Sequence, residues 1–276
     1  MLDGKADLHT HTIHSDGALS PLELITKAKS IGLHTISITD HDTVNAIKEA
    51  ITIGNEHSIE VIPGIELSAS YNGSEIHILG YFVNVENSAL LESLVIFREE
   101  RLKRVERIVG KLNRMNIPLT VESVIAKAGG GSVGRPHVAN ALVNEGYASS
   151  YKQAFNKYIG DGRPAYEKKS AVSTEETIRL ITDAGGLSFL AHPGRSIDEA
   201  TLTHLIKSGM DGIEVIHPSH TPELVQYYRG IVSQYYLLES GGSDFHGGLK
   251  NDDQLFGHIN IPRATVEAMR NRHFSR

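Results

Sequence analysis

Apolar and polar positions along the chain alternate between two periods. The segments KADLHT (5–10), HTISITD (34–40), IEVIPGIELSA (59–69), EIHILGYFV (75–83), GLSFLAH (186–192), DGIEVIH (211–217) and YYLLESGGSD (235–244) are rich in Val, Ile, Leu or Tyr and end in polar residues, which predicts strands. Helical patterns separate several of them. In SPLELITKAKSIG, Ser20 is placed to cap, Pro21 to open the first turn and Gly32 to end the helix. STEETIRLITDAGG repeats that grammar, with Ser173 and Glu176 at capping-box spacing. Such alternation predicts a mostly parallel α/β sheet or barrel, with its working residues at the C-terminal ends of the strands.

From about Asn84 to Tyr166 the strand signal fades. The run SALLESLVIFREERLKRVERIVGKLNRMN places Leu102, Val105, Val109 and Leu112 at helical spacing, so a helical insertion is expected over residues 85–166, with barrel segments at 1–84 and 167–276. Its first helix carries Arg98, Arg101, Lys103, Arg104, Arg107, Lys111 and Arg114. These could line a path for a polyanion. The preferred reading is a solvated face partly paired with Glu99, Glu100 and Glu106.

Composition narrows the classes. At 276 residues and 40% hydrophobic the chain can bury a substantial core, and a net charge of −6 argues against a general coat for nucleic acid. With no cysteine, any metal must be held by imidazole and carboxylate. The start, MLDGKADLHTHT, lacks the pattern of a signal peptide, and no stretch approaches the roughly 20 apolar residues of a membrane span, so a soluble, cytoplasmic protein is expected.

The histidines then change the picture. His9 and His11 stand two apart near the end of the first strand, so a period of two puts both side chains on one face. Asp244 and His246 repeat that spacing in SGGSDFHGG, and His41, Glu66, His77 and His192 sit in or at the ends of other strands. Asp16 follows in the SDG loop. A lone histidine is more often a surface or hydrogen-bonded core group than a ligand. In a parallel barrel, however, all these strand ends open onto one face. Nitrogen and oxygen donors without sulfur suit zinc, manganese or iron, and nine of them exceed the needs of one cation.

The ordered motifs DLHTHT, SDG, TDHDT, PGIE, EIHILGY, AHPGR and GSDFHG together resemble the PHP family, named for polymerase and histidinol phosphatase domains. The resemblance spans nearly the whole chain. It implies a distorted seven-stranded (β/α)7 barrel with a helical insertion and two or three divalent cations, manganese first, with zinc or iron(II) as alternatives. Carried over by position, one cation falls to His9, His11, Glu66 and Asp244, and a second to Glu66 with His77 and His192. The third falls to Asp16, His41 and His246. Relatives of the histidinol phosphatase type commonly have histidine where this chain has Asp16, so another branch fits better.

That branch is indicated by GSVGRPHVANALVNEGYASSYKQAFNKYIGDGRPAY (131–166), which is similar to the PHP subgroup acting on nucleotide phosphates. The resemblance implies hydrolysis of a nucleotide phosphomonoester, first the 3'-phosphate of a nucleoside 3',5'-bisphosphate, by a metal-bridging hydroxide, with Glu66, Asp244 and His192 as catalytic positions. The substrate is then a small nucleotide or a short oligoribonucleotide, with no stable nucleic-acid complex and no membrane partner. Arg135 and Arg195 are candidate phosphate clamps, because guanidinium grips two oxygens at once. Each has a plainer alternative, a helix anchor for Arg135 and a pair with Asp198 for Arg195. His137, His217 and His220 could face the pocket, and one could protonate a leaving alkoxide, though spacing does not select among them. Asp40 and Asp42 could orient His41, or Asp42 could cap the next helix. His14 is out of phase and expected to stand apart. Two other functions stay open: a 5'-3' exoribonuclease using the basic helix, and a non-catalytic module stabilised by metal. The filled ligand set favours an enzyme.

Overall fold

A computed structural model describes residues 4–168 and 172–275. Strands β1 (Lys5–Thr10), β2 (Leu33–Ile38), β3 (Glu60–Tyr71) and β4 (Ser74–Tyr81) form the first half of a curved sheet. Helices α1 (Pro21–Ser30) and α2 (Ile47–His57) cross between them. After the insertion come β5 (Val172–Ser173), α7 (Thr174–Asp183), β6 (Leu187–Leu190), α8 (Glu199–Lys207), β7 (Gly212–Ile216), α9 (Pro222–Gln234) and β8 (Leu238–Gly241). The chain ends with β9 (Ile261–Pro262) and α10 (Arg263–Phe274). All seven strands expected from the apolar runs are present.

Sheet order is β8-β7-β6-β4-β3-β2-β1-β9, and β5 pairs with β3. An isolated parallel bridge between Thr10 and Phe245 joins the end of β1 to the segment after β8, which brings the sheet nearly full circle into a barrel. Ser20 and Glu23 form a capping box on α1, as do Ser173 and Glu176 on α7, fixing where each helix begins.

The mostly parallel sheet expected has two exceptions, β4 and the short β9, which runs antiparallel to β1. β4 runs antiparallel to both β3 and β6. Asn72 and Gly73, both at positive φ, turn the chain tightly between Tyr71 and Ser74, a two-residue turn whose twist suits a hairpin. Because β4 is reversed, its beginning rather than its end lies at the barrel mouth. His77, four residues past the turn, therefore reaches the same opening as the C-terminal ends of β1, β3 and β6.

The insertion comprises α3 (Ser88–Arg114), α4 (Val121–Ala128), α5 (Arg135–Asn144), α6 (Tyr151–Ala154) and a π-helical turn over Phe155–Ile159. α3 serves two cores. Leu90, Leu94 and Phe97 pack with the barrel and its helices, whereas Val105, Ile108, Val109 and Leu112 pack with Val124, Val138, Leu142 and Ile159 of the insertion. Its middle therefore lies against the polar rim of the barrel, which corrects the expectation of a solvated basic face for Arg101 and Arg104, while Lys103, Arg107 and Arg114 are exposed as expected. Arg101 and Arg104 are buried. Their partners are Asp42 and Ser68 for Arg101, and Glu75 and the Glu167 carbonyl for Arg104. Lys111 pairs with Glu167 rather than with a glutamate of its own helix, and only Lys103 with Glu100 follows the expected local pairing.

Candidate active site

At the barrel mouth the nine candidate donors meet around one carboxylate. Glu66 on β3 is buried, with Oε2 3.2 Å from His9 Nε2, 3.3 Å from His11 Nε2 and 3.2 Å from His41 Nδ1. Its Oε1 lies 2.7 Å from His77 Nδ1 and 3.0 Å from His192 Nε2. Asp244 Oδ1 completes the first group, 3.4 Å from His9 Nε2 and 3.1 Å from His11 Nε2. Asp16 Oδ2 lies 3.3 Å from His246 Nε2 and 3.8 Å from His41 Nε2. Donor atoms about 3.4 Å apart are what bonds of about 2.0–2.2 Å to a tetrahedral cation require. Glu66 thus presents one oxygen to each of two adjacent donor groups, as a bridging carboxylate would.

Neighbouring residues settle which nitrogen each ring offers. His246 Nδ1 lies 2.6 Å from the Asp244 carbonyl, so it carries the proton and leaves Nε2 bare. His9 Nδ1 lies 2.9 Å from Glu214 Oε1, which likewise directs its Nε2 to the cluster. Asp16 Oδ2, His41 Nδ1 and His246 Nε2 are buried without a hydrogen-bond partner among the described residues. Unsatisfied buried donors and acceptors are costly in a protein interior; Asp16 Oδ2 and His246 Nε2 face each other, His41 Nδ1 faces Glu66 Oε2, and cations at these two places would satisfy them. The donor set fits divalent metal.

Electrostatics of the donor residues point the same way. Burial works against protonated His11, but hydrogen bonds to Asp244 and Glu66 and the charge of Asp16 outweigh it and raise its pKa to about 9. His77 is also raised to about 9, with Glu66 and Glu75 overcoming burial. Burial opposes the ionised forms of Glu66, Asp16 and Asp244, yet the surrounding imidazoles hold Glu66 and Asp16, and Lys250 followed by the imidazoles holds Asp244, well below the usual carboxylate range. Burial instead holds His41 well below the usual imidazole range, so it is the protons on His11 and His77 that metal binding would displace.

Local backbone explains why these sequences are glycine-rich. A Cβ on Gly242 would lie 2.4 Å from the His9 amide nitrogen, and one on Gly17 would lie 2.4 Å from the His11 carbonyl oxygen. Only glycine lets the loops press this closely on the end of β1. His192 and Asp244 adopt positive φ, of 27° and 52°, just past β6 and β8. Such conformations cost about 1–3 kcal/mol each and persist where surroundings enforce them.

Glu214 on β7 supplies part of that enforcement, and sequence reading passed it over. It is fully buried, and its Oε2 accepts from the His192 backbone N–H at 2.7 Å while Oε1 holds His9. The available signal was an acidic residue in the apolar run GIEVI. Asp40 accepts from the Thr12 amide, the Thr12 hydroxyl and the Ser15 hydroxyl, so it shapes the 11–16 loop rather than aiming His41. Asp42 does not cap α2, whose N-cap position is Ala46; its carboxylate binds the Ser68 amide and Arg101.

The remaining candidates separate. Both nitrogens of His220 are occupied, by the Gly194 N–H and the Val215 carbonyl, which fixes the HPG turn. His137 Nδ1 accepts from the Gly134 N–H at the start of α5, a helix anchor. His217 differs: its Nδ1 accepts from the Ser219 N–H, so the neutral ring carries its proton on Nε2, a buried atom 3.8 Å from Asp244 Oδ2. Arg135 lines a cavity of about 440 Å³ together with His77, His192, Glu75 and Tyr166. Its guanidinium reaches Asp161 at 2.6 Å and Glu75 at 3.5 Å. Arg195 is exposed, lies within electrostatic reach of Glu223 and is outside that cavity's wall, while Asp198 caps α8. Among the described residues, donor atoms close enough to share a cation form three groups, His9–His11–Glu66–Asp244, His11–Asp16–His41 and His41–Glu66–His77; His192 and His246 border these groups through Glu66 and Asp16, and His14 joins none.

Residues 7–159 match the PHP domain family. The chain belongs to the PHP family. Among its PHP relatives, the 5'-3' exoribonuclease Rnm of Escherichia coli K12 is 35% identical over 87% of this chain and 84% of its own. The 3',5'-nucleoside bisphosphate phosphatase of Chromobacterium violaceum is 30% identical over 87% and 86%. A Bifidobacterium adolescentis crystal structure described as a metal-dependent phosphoesterase superposes with a TM-score of 0.91 at 30% identity, covering 97% of this chain and 96% of that one. This PHP protein is accordingly a metal-dependent phosphoesterase with a nearly closed α/β barrel. None of the helices, among the described residues, is long and apolar enough to cross a membrane.

Proposed function

We propose that the protein hydrolyses a phosphate monoester of a nucleotide, with the 3'-phosphate of nucleoside 3',5'-bisphosphates as the substrate the site fits best. The observation that carries this reading is the cavity beside His77 and His192. Its volume of about 440 Å³ is at the small end of ligand pockets, which run from about 300 to 1,000 Å³, and so accommodates one nucleotide unit. Ile76, Leu190, Pro193 and Ile197 give it apolar walls suited to a nucleoside, and Arg135 gives it a cation for a phosphate.

In this reading His9, His11, Glu66 and Asp244 hold one cation, Glu66, His77 and His192 a second, and Asp16, His41 and His246 a third. Divalent cations held by these residues, manganese first and zinc or iron(II) otherwise, would supply Lewis acidity, lowering the pKa of water and neutralising charge on phosphoryl oxygens. Glu66, Asp244 and His192 fix the reacting phosphate's surroundings through their buried or backbone-anchored positions. His217 Nε2–H donates toward the phosphate or the departing ribose oxygen. Arg135, at the start of α5 and on the cavity wall, holds the phosphate, and residues 85–166 act as a cover over the cavity.

A second reading, exoribonuclease action on short 5'-phosphorylated RNA, is favoured by the 35% identity to Rnm. Against a long RNA track stand the burial of Arg101 and Arg104 and the pairing of Lys103, Arg107 and Lys111 with Glu100 and Glu167, which offsets much of the basic stripe still exposed on α3. Manganese-loaded protein should release inorganic phosphate from a nucleoside 3',5'-bisphosphate faster than it releases mononucleotides from 5'-phosphorylated short RNA. The reverse ranking would overturn the first reading in favour of the second. Loss of Arg135 (Arg135→Met) should raise KM on either substrate.

A further inference from the structure

Glu75 lies outside the nine candidate donors, yet it touches both the donor cluster and the insertion. It sits two residues before His77 on β4, and the period of two puts both side chains on the same face. Its Oε1 is 3.4 Å from His77 Nε2, while its Oε2 is 3.3 Å from Arg104 Nη2 and 3.5 Å from Arg135 Nη2. On its other side the His77 ring presents Nδ1 to Glu66 Oε1 at 2.7 Å and to His192 Nε2 at 3.3 Å.

An imidazole that binds a cation through one nitrogen needs its other N–H held, and a carboxylate in that place sets the tautomer and raises the ring's basicity. Glu214 does this for His9 from β7. We propose that Glu75 is a two-sided positioning residue: one oxygen holds His77 so that Nδ1 faces the cation position shared with Glu66 and His192, and the other seats Arg104 and Arg135 of the insertion over the cavity. Phosphate-gripping and metal-gripping groups then share one carboxylate. Movement of the insertion away from the rim withdraws support from a metal ligand as well as from the phosphate clamp. The half concerning Arg135 rests on the substrate reading above; the half concerning His77 does not.

The test uses the full chain, stripped with chelator and titrated with manganese by calorimetry, as wild type, Glu75→Ala and Arg104→Met. Glu75→Ala should weaken one class of manganese site by about 10–100-fold, the usual effect of removing such a carboxylate, whereas Arg104→Met, which leaves Arg135 on Glu75, should weaken it by much less. At saturating manganese, Glu75→Ala should raise KM for a nucleoside 3',5'-bisphosphate by about ten-fold with little change in kcat, the signature of lost binding. Wild-type manganese affinity in Glu75→Ala, even with a lowered melting temperature, overturns the positioning of His77. An unchanged KM overturns the seating of Arg135. If wild type fails to turn over the bisphosphate, the substrate reading falls, the manganese titration still decides the role at His77, and p-nitrophenyl phosphate replaces the nucleotide in the KM comparison.

Discussion

The two walls of the mouth are built differently. On the β1 and β8 side, His9, His11, Asp244 and His246 come from strand ends and are pinned by backbone and buried carboxylates, with Glu214 and the Gly242 contact leaving His9 no freedom. On the α3 and α5 side, Arg101, Arg104 and Arg135 reach across from another core and are held by ion pairs to Asp42, Glu75 and Asp161. The first wall is rigid through covalent spacing and close packing. The second depends on charge, and so should respond to substitution and solvent in its own way.

Substitutions should expose that contrast. The largest effect is expected at the centre: Glu66→Gln removes a charge that faces five imidazoles and should lower kcat by about 10²–10³-fold or more, comparable to losing a preorganised electrostatic group, with a matching loss of bound manganese by elemental analysis. Retained metal and activity would dissolve the idea of a bridging carboxylate. On the other wall, Arg101→Met strips buried Asp42 of a charge partner and should cost about 3–5 kcal/mol in urea unfolding, while manganese affinity at the His9 group stays within error. Equal loss of metal would mean that the walls are not separable. Glu214→Gln should weaken manganese binding by about 10–100-fold with a smaller stability loss than Arg101→Met.

Acidity offers a gentler probe. His11 and His77 have folded pKa values of about 9 against the ordinary 6.5, so in chelated protein the stability they contribute is complete below pH 6.5 and lost as pH rises through about 9. Manganese competes with those same protons, so the melting temperature gained on adding it should be larger at pH 8.5 than at pH 6.5. A larger gain at the lower pH would contradict the proton–metal exchange. Smallest of all, Lys103→Ala removes an exposed pair with Glu100 and should leave the melting temperature unchanged.

Why one wall was legible in the sequence and the other was not follows from the same contrast. Pairs two apart at a strand end, such as His9 with His11 and Asp244 with His246, declare a shared face through covalent geometry alone. Apolar runs likewise marked all seven strands, but such runs carry no direction, so the reversal of β4 was missed although Asn72–Gly73 was there to signal it. Charged positions on α3 looked solvated because glutamates are interspersed with them. Their burial depends on the helix passing from one core to another near Phe97, a tertiary fact that helical periodicity cannot express. Glu214 and Glu75 were overlooked for a related reason: each acts through a partner distant in sequence or through the ring of a ligand, not by joining a motif.

The reversed β4 makes the Asn72–Gly73 hairpin a ruler with strict parity. Lengthening its two strands by one residue pair at the turn carries the tip farther over the mouth and keeps His77 turned inward, whereas a single residue added between Glu75 and His77 puts those two side chains out of phase. Gly73 and Ser74 already form part of the cavity rim. Hairpin length is therefore a dimension along which the reach of the mouth can change in even steps while every donor around Glu66 stays where it is.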